Sequence, residues 1–598
     1  MKEEIKVRIQ SLRLHMMNKS LCDACIIPTT DPHGSEYIPE HWKIREWFSG
    51  FTGSAGTLVV TIEEAALWTD SRYFLQAEEQ LKGTGIKLMK QGLPDTPTIE
   101  QWLGKVLPRH SILGFNGWTI SMADEREMEK RLNDVHIYCL RKNFDPFDEV
   151  WKGRPSLPLS PIEIHPEKYA GLSATEKMKD VYEQVCKDGA EGIFISALDE
   201  IAWLLNLRGK DIHCNPVFTS YFFLNKMGGT LFIDPAKLTP EVKDYLKELD
   251  IDIRPYNDVS YLLSRVPAEY GIEIDPKKTS YAAYSTIPKE AHIIEKESPI
   301  AMMKAVKNHT EIEGFRHAML RDGVAMVKFL KWLEEVVAQG EQTEMSIDEK
   351  LYQFRAEQDL FRGISFDTIA GYAEHGAIVH YEATPETDKP LRPVGLLLLD
   401  SGAQYTDGTT DLTRTIALGP VTPEEMRDYT LVLKGHIQLS SACFPQGTCG
   451  TQLDVLARQA MWKQGVNYLH GTGHGVGSYL CVHEGPHQIR MNYMPALLKP
   501  GMTVTDEPGI YRSGKYGIRT ENVLLIVPYM ENEFGAFYTF EPLTLCPIDT
   551  TPIDFSLLTQ EEMQWLDNYH AMVYNRLSPL LDEEHRAWLK EKTHPILN

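Results

Sequence analysis

The sequence is short of basic residues: 61 Lys and Arg stand against 84 Asp and Glu, for a formal net charge of −23. A chain with this balance has no general electrostatic pull toward a phosphate backbone, so no nucleic-acid partner is expected. Cysteine is sparse as well. Nine cysteines scattered over 598 residues do not make a secreted disulfide framework. Cys22 and Cys25 form a C-x-x-C with no second pair nearby, and they read as buried or incidental thiols. No uninterrupted apolar run is long enough to span a membrane. The opening segment, MKEEIKVRIQSLRLHMMNKS, has early acids and no apolar block, so no signal peptide is read there. These absences leave a soluble cytoplasmic protein, with no membrane partner, as the expectation.

What is present points to several domains, since 598 residues exceed one ordinary core. The first 150 or so residues read as α/β. GTLVV at 56–60 and AALWTD at 65–70 read as a hairpin, and YFLQAEEQL at 73–81 as a helix. A proline-rich stretch at 144–166 reads as a boundary. A second α/β unit follows, with two echoes of the first. REWFSGFTG at 45–53 resembles WLLNLRG at 203–209, and GTLVV is echoed by GTLFI at 229–233, which raises an internal duplication. Beyond residue 306 the pattern is α+β. Thr310 with Glu313, Ser346 with Glu349, and Thr422-Pro423 with Glu425 read as capping boxes opening helices, and Thr451 opens a further one. Strands are expected at 364–372, 394–402, 409–417, 502–506 and 521–527. The expected domains are 1–158, 159–306, 307–545 and a helical extension at 546–598.

The chemistry concentrates in the third domain. PVGLLLLD ends an apolar run on Asp400, which is costly unless that acid is paired or metal-bound. The Asp407–Gly408 turn folds the flanks into a hairpin, so Asp411 can converge on Asp400 while Asp407 serves the turn. HGTGHGVGSYLCVHEGPH at 470–487 carries His470, His474, His483 and His487, with alternate glycines that let backbone pass close to a bound group. No Lys-Ser or Lys-Thr ends this run, so a phosphate loop is not read. Glu507 precedes Pro508, and Glu521 opens an apolar strand; Asp506 reads as an acid merely solvated at a strand end. The candidate donors are therefore Asp400, Asp411, His474, Glu507 and Glu521. Four carboxylates and one imidazole suit Mn²⁺, with Zn²⁺, Co²⁺ or Fe²⁺ as alternatives. Their charge balances about two divalent ions.

These motifs resemble those of the pita-bread metallopeptidases. Nearly the whole chain is similar to the aminopeptidase P (Xaa-Pro aminopeptidase) family in its long three-domain cytosolic form. The likeness rests on WTDSRYFLQA at 68–77, WLLNLRG, NPVFTSY at 215–221, AIVHY at 377–381 and DSGAQYTDGTTDLTRT at 400–415. It continues through HGTGHGVG, VHEGP at 482–486, DEPGIY at 506–511 and GIRTEN at 517–522. The resemblance implies two creatinase-like domains ahead of a pita-bread catalytic domain, and a homodimer. It implies that Asp400 chelates one ion, that Asp411 and Glu521 bridge both, and that His474 and Glu507 complete the site. His380, His470 and His483 would handle substrate and transition state, Arg519 would orient the site from behind, and Arg72 and Trp203 would lie near the substrate channel. The implied reaction removes residue one from peptides whose second residue is proline, with Glu507 moving the proton. Prolidase is the nearest competing reading. Methionine aminopeptidase needs no large N-terminal domains, creatinase lacks this ligand set, and a non-catalytic interaction protein of the same fold would have lost ligands.

Overall fold

The computed structural model describes residues 2–18 and 21–597, which form two compact units. One comprises Met1–His165 with Leu172–Ile300, the other Pro166–Gly171 with Ala301–Asn598. Of the opening segment, Lys2–Asn18 is a helix that buries Ile5, Ile9, Leu12 and Met16, a regular apolar stripe; Met1, Lys19 and Ser20 lie outside the described residues. No described helix is long and apolar enough to cross a membrane.

The first unit contains two six-stranded sheets. In the first, Ala24–Pro28 pairs antiparallel with Thr57–Thr61, which pairs antiparallel with Ala65–Thr69, which pairs parallel with Lys87–Lys90. On the other side Ala24–Pro28 pairs parallel with Ile112–Gly114, and that strand with Cys139–Arg141. The second sheet repeats this order and every strand direction, from Gly192–Ile195 through Tyr221–Asn225, Gly228–Phe232 and Ile251–Arg254 on one side to Gly271–Ile274 and His292–Glu295 on the other. The duplication is therefore present in topology. The two sequence echoes fare differently. Helices Ile44–Ser49 and Leu198–Leu204 both follow the first strand of their sheet, so the first echo is in register. GTLVV lies on the second strand of its sheet and GTLFI on the third, so that echo reflects shared strand chemistry alone.

The second unit is built on the helix His309–Val337. Its N-cap is Asn308, with Glu311 completing the box, two residues ahead of the expected Thr310 and Glu313. The next helix is likewise capped by Thr343 with Ser346, not by Ser346 with Glu349. The Thr422–Pro423–Glu425 box is formed as expected. Helix Gly450–Trp462 has Cys449 as its N-cap, two residues before Thr451.

Three strands, Ile369–Tyr372, Leu396–Ser401 and Leu412–Ala417, make one sheet. A second runs Cys443–Pro445, Gly535–Pro542, Asn522–Asn532, Thr503–Asp506. Helices Pro423–Ser440 and Gly450–Trp462 pack on this framework through Val432, Leu433, Ile437, Ala460 and Met461. The C-terminal helices Gln560–Leu577 and Glu583–Lys592 add Leu566, Val573, Leu577 and Leu589 to the same core. Buried apolar side chains of this size each contribute about 1.5–3 kcal/mol, so the last helices are integral to the unit.

Candidate metal centre

The hairpin read from Asp407–Gly408 is formed. Asp400 stands opposite Thr413 in the register of Leu396–Ser401 with Leu412–Ala417, and Ala403–Tyr405 closes on Gly408–Thr409 through the turn. Asp411 therefore returns to the end of the apolar strand that Asp400 terminates. Asp407 stays at the turn, where Arg321 pairs with it. His474 lies on the short strand Gly473–Gly475, paired with Glu484–Ile489. Glu507 follows Thr503–Asp506, and Glu521 joins Tyr516–Arg519 to Asn522–Asn532. Two backbone links lock these segments: Glu507 N–H donates to Thr472 O at 2.8 Å, and Glu521 N–H to Thr413 O at 3.1 Å.

Asp411, His474 and Glu521 each place a donor atom within 4.8 Å of the others. His474 Nδ1 lies 2.9 Å from Gly475 O, a carbonyl that only accepts, so Nδ1 carries the proton. The lone pair of Nε2 then faces Asp411 Oδ2 and Glu507 Oε1, each 3.5 Å away. Three electron-pair donors aimed at one another repel unless a cation stands between them. Asp400 and Glu507 complete the acidic cluster. Asp400 Oδ1 is buried with no hydrogen-bond partner among the described residues, while Oδ2 accepts from Arg519 Nη2 at 2.6 Å and from Nε at 3.2 Å. An orphaned carboxylate oxygen in a buried acidic cluster is costly without a cation.

The acids perturb one another as a metal site requires. Burial pushes Asp411 and Glu521 well above the ordinary carboxylate range, and the neighbouring carboxylates add to it. Burial also raises Glu507 to about 7, with Asp400 reinforcing the rise and Arg519 opposing it. These residues fit divalent cations: an oxygen-rich donor set, a neutral imidazole with its lone pair inward, and charge repulsion that two ions would cancel.

The supporting contacts were only partly legible. Thr413 Oγ1 donates to Glu521 Oε2 at 2.7 Å, and Thr505 Oγ1 to Glu507 Oε1 at 3.2 Å. Tyr511 lies within DEPGIY, where nothing in the local sequence marks it as part of the site. Its hydroxyl accepts from Arg519 Nη1 at 2.7 Å and lies 2.8 Å from His470 Nε2. His470 Nδ1 lies 2.7 Å from Gly471 O and carries the proton, so Tyr511 donates to Nε2. His470, Tyr511, Arg519 and Asp400 thus form one chain of hydrogen bonds. His483 packs edge-on against His474, with ring centroids 4.4 Å apart. His380 is half-buried, next to Val379, whose carbonyl accepts from Arg519 Nη2 at 3.4 Å.

Other expectations change in detail. The glycines near His474 let protein backbone approach protein backbone. A Cβ on Gly473 would stand 1.9 Å from Thr505 O, and one on Gly475 would stand 2.6 Å from Glu484 O. Asp506 is fully buried rather than solvated, and accepts from Ser440 Oγ at 2.7 Å. His487 is buried against Thr503 O, and burial lowers its pKa to about 4. Arg72 and Trp203 belong to the first unit. Arg72 is held by a two-pronged contact with Asp70 at 2.9 and 2.8 Å, and Trp203 is buried with Lys177 Nζ 4.2 Å over its ring.

Comparison with known proteins agrees with this architecture. The creatinase/prolidase N-terminal domain matches twice, at residues 8–149 and 153–311. Metallopeptidase family M24 matches residues 313–528, and the C-terminal region of peptidase M24 matches 536–596. Fold and donor set together define a pita-bread metallopeptidase preceded by two creatinase-like domains. A probable Xaa-Pro aminopeptidase P from Coprinopsis cinerea is 42% identical over 604 residues, covering 97% of each chain. Aminopeptidase P1 of Arabidopsis thaliana is 38% identical over 642 residues, covering 98% of this chain and 99% of its own. The structure of X-prolyl aminopeptidase from Caenorhabditis elegans, described as a cytosolic enzyme with a di-nuclear active site, superposes with a TM-score of 0.95 at 36% identity over 100% of both chains. The chain belongs to the aminopeptidase P (Xaa-Pro aminopeptidase) family.

Proposed function

We propose that this protein is a cytoplasmic, metal-dependent aminopeptidase that hydrolyses the bond between an N-terminal residue and a penultimate proline. The observation that carries this is the convergence of Asp411, His474 and Glu521 beside Asp400 and Glu507, in a chain matched end to end by aminopeptidases P. Asp400, Asp411, His474, Glu507 and Glu521 would hold two divalent ions, with Mn²⁺ favoured by the oxygen-rich set. When bound, the ions supply Lewis acidity, lowering a water's pKa toward neutrality and drawing charge from a peptide carbonyl.

The remaining work falls to side chains. Glu507 is assigned the proton transfer, accepting a proton from the attacking water and returning it. The proline nitrogen is tertiary in the substrate and must gain a proton to leave, which defines the destination. His380 and His483 are assigned to the carbonyl oxygen, where an N–H donor stabilises developing negative charge. His470, its tautomer set by Gly471 and Tyr511, is assigned to the wall beside the proline ring. Arg519 holds Asp400 from behind. Arg72 and Trp203 enter as substrate-contacting residues, and the homodimer as the assembly, through the family resemblance.

The decisive experiment gives Mn²⁺-reconstituted protein an Xaa-Pro-Xaa tripeptide and an Xaa-Pro dipeptide and identifies the products. Release of residue one from the tripeptide, leaving a Pro-Xaa dipeptide, is expected. Cleavage confined to the dipeptide would instead make the protein a prolidase.

A further inference from the structure

Behind the strands that carry the metal-binding acids runs a continuous buried polar chain, and its members are sequence neighbours of those acids. It begins on the C-terminal helix Gln560–Leu577. There the Tyr569 hydroxyl accepts from Arg414 Nη2 at 2.9 Å and lies 2.9 Å from Thr544 O and 3.0 Å from Cys546 O. Arg414, three residues after Asp411, is buried and uses all three guanidinium nitrogens. Nε donates to Pro547 O at 3.1 Å; Nη1 to Glu521 O at 2.7 Å and Thr413 O at 2.9 Å; Nη2 also to Asn522 Oδ1 and Cys546 O, both at 2.8 Å. Asn522, the residue after Glu521, has Nδ2 3.2 Å from His436 Nε2. His436, on helix Pro423–Ser440, brings Nδ1 to 3.2 Å from the carboxylate of Asp506, the residue before Glu507.

An arginine, a histidine, an aspartate, an asparagine and a tyrosine in one interior are expensive next to an apolar filling. Such a network specifies one arrangement when its members are satisfied, and here the exception is Asp506 Oδ1, which has no partner among the described residues. Here the arrangement it specifies is the spacing of the segments bearing Asp411, Glu507 and Glu521. The C-terminal segment supplies no metal ligand of its own, yet Cys546, Pro547 and Tyr569 provide three of the acceptors around Arg414. A side chain that orients ligands from behind affects metal affinity without touching the ion.

We propose that Tyr569 and Asn522 are positioning residues for the metal centre: through Arg414 and His436, the C-terminal segment closes a buried network that holds Glu507 and Glu521 at the spacing the ions need. This rests on the metal-site reading above. The test compares the full chain with Tyr569→Phe and Asn522→Ala, measuring Mn²⁺ affinity by chelator competition and the thermal midpoint of the metal-free protein. Phe at 569 keeps the ring that stacks on Trp565 with centroids 5.4 Å apart, so the fold is expected to persist. About tenfold weaker Mn²⁺ binding is expected for Tyr569→Phe, and a loss approaching a hundredfold for Asn522→Ala. Tyr569→Phe binding Mn²⁺ within twofold of the parent, whatever its thermal midpoint, overturns the proposal. That variant alone decides if Asn522→Ala does not fold. Failure of the unaltered chain to bind Mn²⁺, Zn²⁺, Co²⁺ or Fe²⁺ would overturn the metal-site reading instead.

Discussion

Removing the metal should make the second unit's stability depend on pH in a direction set by the acids it uncovers. Burial raises the Glu507 carboxyl from 4.5 to about 7 in the metal-free fold, a difference worth about 3 kcal/mol. The sign follows from proton counting. Between pH 4.5 and 7 the metal-free folded state holds a proton that the unfolded chain has lost, so stability falls as pH rises through this window. Above about 7 the full cost is present. Roughly 2 kcal/mol of it accrues between pH 5.5 and 8. Asp411 and Glu521 are raised in the same direction, so they act with the same sign. The second unit spans roughly 300 residues, for which 2 kcal/mol corresponds to about 3 °C in thermal midpoint. Bound ions remove the penalty by neutralising the acids. The gap in thermal midpoint between Mn²⁺-loaded and chelator-treated protein should therefore be about 3 °C wider at pH 8 than at pH 5.5. Differential scanning calorimetry measures it directly. A gap that is equal at the two pH values, or narrower at pH 8, would refute the reasoning.

Asp411→Ala removes a carboxylate from the centre of the cluster and is expected to lower kcat/KM at least about a hundredfold, with bound metal falling in elemental analysis; full activity without metal would contradict the hydrolytic mechanism. Tyr511→Phe deletes the donor to His470 and an acceptor for Arg519, and should lower kcat/KM by about tenfold with metal content unchanged. Arg355 and Asp322 form a fully buried pair at 2.9 Å; Arg355→Ala should cost about 3–5 kcal/mol by stranding the aspartate, read as a lower thermal midpoint.

Much of the site was legible because its local signals are strong. An acid ending the apolar run LLLL, an Asp-Gly turn eleven residues before Leu418, and a Glu-Pro step each constrain backbone over a few residues. These constraints brought Asp400, Asp411 and Glu507 into view without a fold. Helix caps are less legible, because more than one polar residue near a helix start can cap it: Asn308 serves where Thr310 is expected, and Thr343 where Ser346 is. The apparent repeat of GTLVV in GTLFI failed for a related reason: a five-residue strand pattern says that a strand forms, not which position it takes in a sheet.

The sequence by itself determined the domain class, the family likeness and the acids and histidines from which a metal centre could be built. These depend on residue identity and short-range spacing. Tertiary structure alone decided which groups are buried, which lone pairs face one another and what stands behind them. Asp506 is the clearest case. In sequence it is one more acid beside Glu507; in the fold it is wholly buried, bonded to Ser440 and joined through His436 and Asn522 to a helix more than fifty residues away. The cost of burying such a charge depends on every segment packed around it, and no local stretch of sequence contains that information.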